Sequence, residues 1–307
     1  MGTDETCMAW VRDEIGRAVG LPAELGGIPL DQIGATGYGL AVCAEVVQEI
    51  AGIELRAARV VVQGFSSVGR HAARFLVERG AVLVGAADSA GALADPEGID
   101  VAALIALKEA GGSVLDHPRG RRLDREAVID VPCDIWIPAA RPDVIDQGNV
   151  DRLRAKVVLE GANIPAEAEQ ALHARGVVVV PDFIANVGGV ISAAVEYRGG
   201  TQGVAFESIA EKIGANTREV LEAATRARIT PREAAIAVAR GRGRGGDALP
   251  PLGLTSAPAR TPRAIARPSR RTGRVSLVSL RAGPRLRHPG SILMLILSVQ
   301  RMAEAAP

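Results

Sequence analysis

A chain of 307 residues has room for one large or two ordinary domains, and at 48% hydrophobic it can bury a sizeable core, built mostly from Ala, Val, Leu and Ile because only 3% is aromatic. The formal charge of +1 hides a break: residues 240–307 hold thirteen Arg and no Lys against Asp247 and Glu304, a net +11, which leaves −10 for residues 1–239. Three cysteines without metal-ligand spacing argue against a disulfide framework or a metal site, no apolar leader follows Asp4 and Glu5, and the apolar run 292–299 falls far short of the roughly 20 residues that cross a bilayer, so a cytoplasmic protein without membrane contact is expected.

In chain order, residues 3–19 read as an amphipathic helix, with Thr3 as its cap and Asp4 and Glu5 at its positive end. Gly20-Leu-Pro and Gly26-Gly-Ile-Pro punctuate a loop. Residues 36–51 read as a second helix with Leu40, Cys43, Val47 and Ile50 on its apolar side. It is entered through a glycine-dense turn, Gly34-Ala-Thr-Gly-Tyr-Gly, that brings backbone close to a neighbour.

The next stretch organises the chain. Val60-Val61-Val62 reads as a buried strand, residues 64–69 as a tight turn, and Ala72, Ala73, Phe75 and Leu76 as the apolar stripe of a helix that Gly80 ends. Val82-Leu83-Val84 is a second strand leading to Asp88, nineteen residues beyond Gly69. A strand, a glycine turn opening a helix, and an acid after the next strand suit a dinucleotide. The helix start offers free N–H groups and a positive dipole end to a pyrophosphate, and the acid can accept from the adenosine ribose hydroxyls. The usual G-x-G-x-x-G has Ser66 at its middle glycine, where the hydroxyl can itself donate to a phosphate. An ordinary strand–helix–strand turn without a ligand is the alternative.

Residues 101–110 read as a helix, whereas 112–132 are polar and without clear period. Strand 135–137 runs into Pro138-Ala139-Ala140, strand 157–159 into Glu160-Gly161-Ala162-Asn163, and strand 177–180 into Pro181 to Asn186. Helices are expected at 165–174, with Pro165 in the first turn, and at 188–197, 204–227 and 231–239, the last opening with Thr230 and Pro231. Strands alternating with helices give an α/β fold with a doubly wound parallel sheet. The loops after its strands should gather at one crevice, outside the carboxyl ends.

Gly26-Gly-Ile-Pro-Leu, Gly34-Ala-Thr-Gly-Tyr-Gly, Val62-Gln-Gly-Phe, Glu160-Gly-Ala-Asn and Pro181-Asp-Phe-Ile-Ala-Asn-Val-Gly-Gly-Val together resemble the glutamate/leucine/phenylalanine/valine dehydrogenase family, best its glutamate dehydrogenase branch, in order from residue 1 to about 239. The resemblance implies a connecting helix and loop (1–35) and a Rossmann-type NAD(P)-binding domain with C-terminal helices (36–240). It implies oxidative deamination of an L-amino acid to a 2-oxo acid with NAD, NADP being possible, and a homo-oligomer. Carried over by position, Thr36 meets the nicotinamide carboxamide. Gly64, Phe65, Ser66, Ser67, Val68 and Gly69 form the pyrophosphate turn, and Asp88 meets the adenosine ribose. Ala139, Ala140 and Asn163 line the nicotinamide ribose, and Asn186 stands beside nicotinamide and substrate. Read by themselves, Thr36 is equally a helix cap, and Asn163 and Asn186 are equally left-handed turn residues.

The departures concern catalysis and specificity. The family's essential lysine lies in a Pro-x-Gly-Pro-x-Lys-Gly-Gly segment, and its catalytic aspartate lies just before the stretch matching Met1-Gly2-Thr3. The resemblance covers the second domain and the connecting segment only, and Lys108, Lys156 and Lys212 stand in other contexts. It therefore assigns no catalytic residue here and implies impaired turnover, with a non-catalytic dinucleotide-binding protein or subunit as the alternative. Ala193 falls where glutamate enzymes place a carboxylate-binding serine, with Ser192 one position, about 100°, away on the helix. Asp88 favours NAD by repelling a 2′-phosphate. From residue 241 the family pattern stops in an Arg/Pro-rich run expected to be disordered, a fused or frame-shifted segment or a phosphate-binding tail. A nucleic-acid-associated protein acting through this basic tail is the third and least favoured reading, because interleaved aromatics are missing.

Overall fold

A computed structural model describes residues 4–246, apart from Pro165 and Glu167. Helix α1 (Glu5–Ile15) is capped by Asp4, whose Oδ1 accepts the Cys7 N–H at 2.9 Å, and it ends at Gly16. The expected cap, Thr3, lies outside the described residues, and the helix stops short of residue 19. There follow α2 (Leu30–Ile33), α3 (Ala35–Ala51), β1 (Arg59–Gln63), α4 (Ser67–Glu78), β2 (Val82–Ala87), β3 (Ala92–Ala94), α5 (Val101–Glu109), β4 (Arg121–Leu123), β5 (Ile135–Pro138), β6 (Val157–Leu159), α6 (Glu169–Ala174), β7 (Val178–Val180), α7 (Asp182–Ala185), α8 (Gly188–Tyr197), α9 (Gln202–Ala227) and α10 (Pro231–Gly246).

The seven strands lie in the order β4-β3-β2-β1-β5-β6-β7. From β2 to β7 every pairing is parallel, as the strand–helix alternation requires. The sheet is mixed rather than wholly parallel: β3 and β4 add antiparallel to its edge. β4 comes from the polar stretch 112–132, and β3, the buried Ala92-Leu93-Ala94, precedes it; neither is a β-branched run. Arg121 and Arg122 on the outermost strand are exposed.

Side chains alternate across the sheet, which explains the β-branched runs. Val60 and Val62 enter a core with Leu40, Leu76 and Ile213 from α3, α4 and α9, whereas Val61 and Trp136 enter the opposite core with Leu153 and Leu172. The α4 stripe, Ala72, Ala73, Phe75 and Leu76, is buried as expected. On α3, Leu40, Cys43 and Val47 are buried, but Ile50 is exposed. The glycines of Gly34-Ala-Thr-Gly-Tyr-Gly form a helix end and first turns rather than a loop. A side chain at residue 37 would meet the Ala72 backbone nitrogen at 2.5 Å, so the missing Cβ lets α3 press against α4.

Two boundaries move. α6 begins at Glu169, later than expected. α10 runs past residue 240 to Gly246, with Arg242 donating to Asn216 Oδ1 (3.1 Å) and pairing with Glu219, both on α9. The disorder expected for the remaining tail falls on 247–307, outside the described residues.

Candidate functional site

Strand order reverses between β1 and β5, and the loops leaving their carboxyl ends interlock there. Gly64, at φ 106°, turns the chain so that its own N–H and that of Phe65 both reach the Ala87 carbonyl, at 2.9 and 2.7 Å. A Cβ on Gly64 would meet the Ala140 Cβ at 2.6 Å, and the Ala139 N–H donates to the Gln63 carbonyl at 2.7 Å. Phe65 is buried in the core, so only its main chain faces the crevice. Ser66 is exposed with ordinary extended backbone (φ −109°, ψ −151°), so the third position of the turn accommodates a side chain without strain. Val68 packs inward, against Gly161 after β6.

No side chain caps the start of α4, and the same holds for α3 and α8. These ends meet. Gly188, opening α8, sits so tightly on the Ala35 carbonyl that any side chain there would collide with it, and a Cβ on Gly189 would lie 3.4 Å from Thr36 Oγ1. Thr36 is half-buried inside the first turn of α3 and is not its cap. The Ser67 hydroxyl donates to Asp31 Oδ1 at 3.3 Å, leaving the Ser67 N–H as the group that faces a ligand from the helix start. Three helices of 17, 12 and 10 residues thus bring positive dipole ends to one edge of the sheet, an arrangement that suits a multiply charged anion such as a pyrophosphate.

At the β6–β7 side, Asn186 Nδ2 donates to Asn163 Oδ1 at 2.8 Å. Neither is a left-handed turn residue: Asn186 has φ −100°, and Ile164 carries the positive φ of 49° beside Asn163. A charged cluster holds both loops from behind. The wholly buried Glu160 accepts the Asp182 N–H at 2.8 Å, and Asp182 accepts the Ile164 N–H at 2.9 Å. Arg232 of α10 bridges Glu160 (2.6 Å), Glu169 (2.6 Å) and Asp182 (3.0 Å). Burial pushes the Glu160 carboxyl up to about 8 despite Arg232, with Asp182 adding to the rise. On α8, Ala193 is half-buried whereas Ser192 is fully buried with an unpartnered hydroxyl, so the two occupy different sides.

Asp88 stands at the end of β2 as expected, but its carboxylate is occupied. Oδ2 accepts Lys108 Nζ at 2.7 Å and the Val114 N–H at 2.9 Å; Oδ1 accepts the Ala90 N–H at 2.9 Å and Ser113 Oγ at 3.2 Å. Burial raises this carboxyl, but Lys108 and the Val114 and Ala90 amides outweigh it and hold it below the usual range. The free ribose acceptor that sequence spacing suggested is therefore a satisfied one. Lys108, Ser113 and Arg232 escaped sequence reasoning because they lie 20, 25 and 72 residues from the acids they serve, beyond any local motif. Among the described residues no group of His, Cys, Asp and Glu is arranged to hold a metal ion, and no helix is long and apolar enough to cross a membrane.

The profile of the Glutamate/Leucine/Phenylalanine/Valine dehydrogenase family matches residues 26–242, and the chain belongs to this family of dehydrogenases. Glutamate dehydrogenase of Aeropyrum pernix is 40% identical over 238 residues, covering 71% of this chain and 56% of that protein. Glutamate dehydrogenase of Thermotoga maritima is 40% identical over 209 residues, covering 64% and 50%. Among solved structures, the hetero-hexameric glutamate dehydrogenase from Thermus thermophilus in its Leu-bound form superposes with a TM-score of 0.71 at 29% identity, over 79% of this chain and 61% of that one. The chain spans about half the length of these curated relatives.

Proposed function

We propose that residues 36–240 bind NAD or NADP across the carboxyl edge of the sheet, as the coenzyme-binding part of a glutamate dehydrogenase-like oxidoreductase acting on the CH–NH2 group of an L-amino acid. The meeting of three uncapped helix starts where strand order reverses carries this reading. The residues fit the coenzyme: the N–H groups from Ser66 to Gly69 take the pyrophosphate, and Ala139, Ala140 and Asn163 take the nicotinamide ribose. Thr36 takes the carboxamide, Asn186 stands beside ring and substrate, and Ala193 suits an apolar part of the amino acid. The nicotinamide ring, when bound, supplies the hydride acceptor. Residues 1–35 are a connecting segment and 241–307 an appendage to this unit; the full assembly is a cytoplasmic homo-oligomer.

Amine-to-ketone chemistry also needs an electrophilic lysine and a proton-shuttling carboxylate. Lys108 pairs with Asp88, and Lys156 with Asp134 at 3.6 Å, which favours a second reading in which this chain holds the dinucleotide without turnover. Titration calorimetry with NADH and NADPH tests the shared claim. Saturable one-site heat with at least one of them is expected, and its absence with both on folded protein overturns the reading.

A further inference from the structure

We propose that Lys108, with Ser113 and the Val114 amide, sets coenzyme preference by holding Asp88 as a filled and charge-compensated acid, so that the adenosine end of the crevice takes a 2′-phosphate about as well as a 2′-hydroxyl. The inference rests on the dinucleotide reading above and deepens it.

An acid after the second strand selects NAD in two ways. It accepts from the ribose hydroxyls, and its uncompensated charge repels a 2′-phosphate. The first needs a free carboxylate lone pair and the second a net negative charge. Asp88 offers neither. A carboxylate has about four acceptor sites, and here four donors converge on it from residues 90, 108, 113 and 114. Its side chain is 8% exposed, so water does not compete for them. The ammonium 2.7 Å away brings the pair to zero net charge, and Lys108 at 22% exposure is more open to solvent than the acid. A phosphate arriving there meets the Lys108 ammonium, which keeps two N–H donors beyond the one given to Asp88, whereas the Ser113 hydroxyl is already engaged with Asp88 and the Leu115 N–H.

The arrangement is built by two consecutive elements that share the core through Leu104 and Val114. Lys108 closes the last turn of α5, and Ser113 opens the short turn Val114–Asp116, where it is locked in a reciprocal cap with Asp116. Asp88 pins both to the end of β2, so the rim of the crevice is a fixed clasp rather than an open loop.

The experiment measures dissociation constants for NADH and NADPH on the wild type, Lys108→Met and Asp88→Asn by calorimetry in one buffer. The wild type is expected to bind the two within about threefold, under 1 kcal/mol. Lys108→Met frees and uncovers the acid, and should move the ratio toward NADH by on the order of tenfold; Asp88→Asn leaves Lys108 uncompensated and should move it the other way, toward NADPH, by about threefold to tenfold. A wild type that prefers NADH a hundredfold, or a Lys108→Met ratio that stays put, overturns the inference while the dinucleotide reading stands. Failure of the wild type to bind either coenzyme overturns both. Partial unfolding weakens both coenzymes together and leaves the ratio intact, and the wild-type ratio decides the matter even where a variant does not fold.

Discussion

Asp88 and Glu160 occupy equivalent places, each the first residue after a parallel strand of the same sheet, β2 for one and β6 for the other. Their chemistry is opposite. Asp88 has one cation and three neutral donors to itself and is held ionised below its ordinary range. Glu160 shares a single guanidinium with Glu169 and Asp182 in a fully buried position, and burial pushes it up to about 8, so at neutral pH it keeps its proton. Position on the fold does not set the charge of an acid; the number of cations per carboxylate and the access of water do. The first arrangement frames the rim where the adenosine ribose is proposed to lie. The second is a brace under the asparagines of the nicotinamide end.

The comparison is most exposed to loss of the shared cation. Arg232→Met takes the shared cation from the buried cluster, leaving Glu169 and Asp182 without a counter-charge, and should lower unfolding free energy by about 3–5 kcal/mol in a urea titration. The same change releases the Asp182 contacts that fix the loop of Asn163, so NADH affinity should fall with it. Asp88→Asn is smaller. It removes the charge facing Lys108 and turns one acceptor into a donor against an N–H or hydroxyl, for an expected loss of about 1–2 kcal/mol.

Glu160→Gln should be the mildest near pH 6, within about 0.5–1 kcal/mol of wild type, because an amide imitates the protonated acid. It should also change the pH profile. The folded chain keeps the Glu160 proton from its ordinary value of 4.5 up to about 8 while the unfolded chain has lost it, so this group makes stability fall as pH rises through that window. The slope it contributes is at most about 1.4 kcal/mol per pH unit, and Glu160→Gln should flatten that part of the curve in urea titrations from pH 5 to 9. Asp88 acts in the other direction: its contribution is in place above its ordinary value of 3.8 and fades only as pH falls below it. A Glu160→Gln protein with the wild-type profile would place the buried proton on another member of the cluster.

Much of this architecture was legible because the signals are local. Val60 to Val62, the Gly64 turn and the α4 stripe all lie within one strand–helix–strand unit, where side-chain period and turn chemistry speak directly. The edge strands β3 and β4 were not legible because, unlike the equally short β6 and β7, Ala-Leu-Ala and Arg-Arg-Leu contain no β-branched run. Gly241-Arg-Gly-Arg reads as a helix breaker, yet α10 persists through it, and Arg242 gains partners on α9 that no local rule reveals. The site divides the same way. The family resemblance singled out Asn163 and Asn186, and the strand-end loops that hold them were readable from spacing. What those residues bind was not: the partners of Asp88 and Glu160 arrive from distant elements, and a motif records the acid without its counter-ions.

The arginines on β4 bear on how the protein behaves in a crowd. An outer strand leaves a row of unpaired main-chain groups that another chain could zip onto, beginning a self-templated stack. Here the newcomer would have to strip water from Arg121 and Arg122. Arg122 is in addition tethered across the strand to the carbonyls of Leu115 (2.9 Å) and His117 (3.0 Å), which keeps its bulk over that margin. The sheet thereby carries its own stopper, and growth beyond the seventh strand on that side is discouraged by residues that take no part in any ligand contact proposed here.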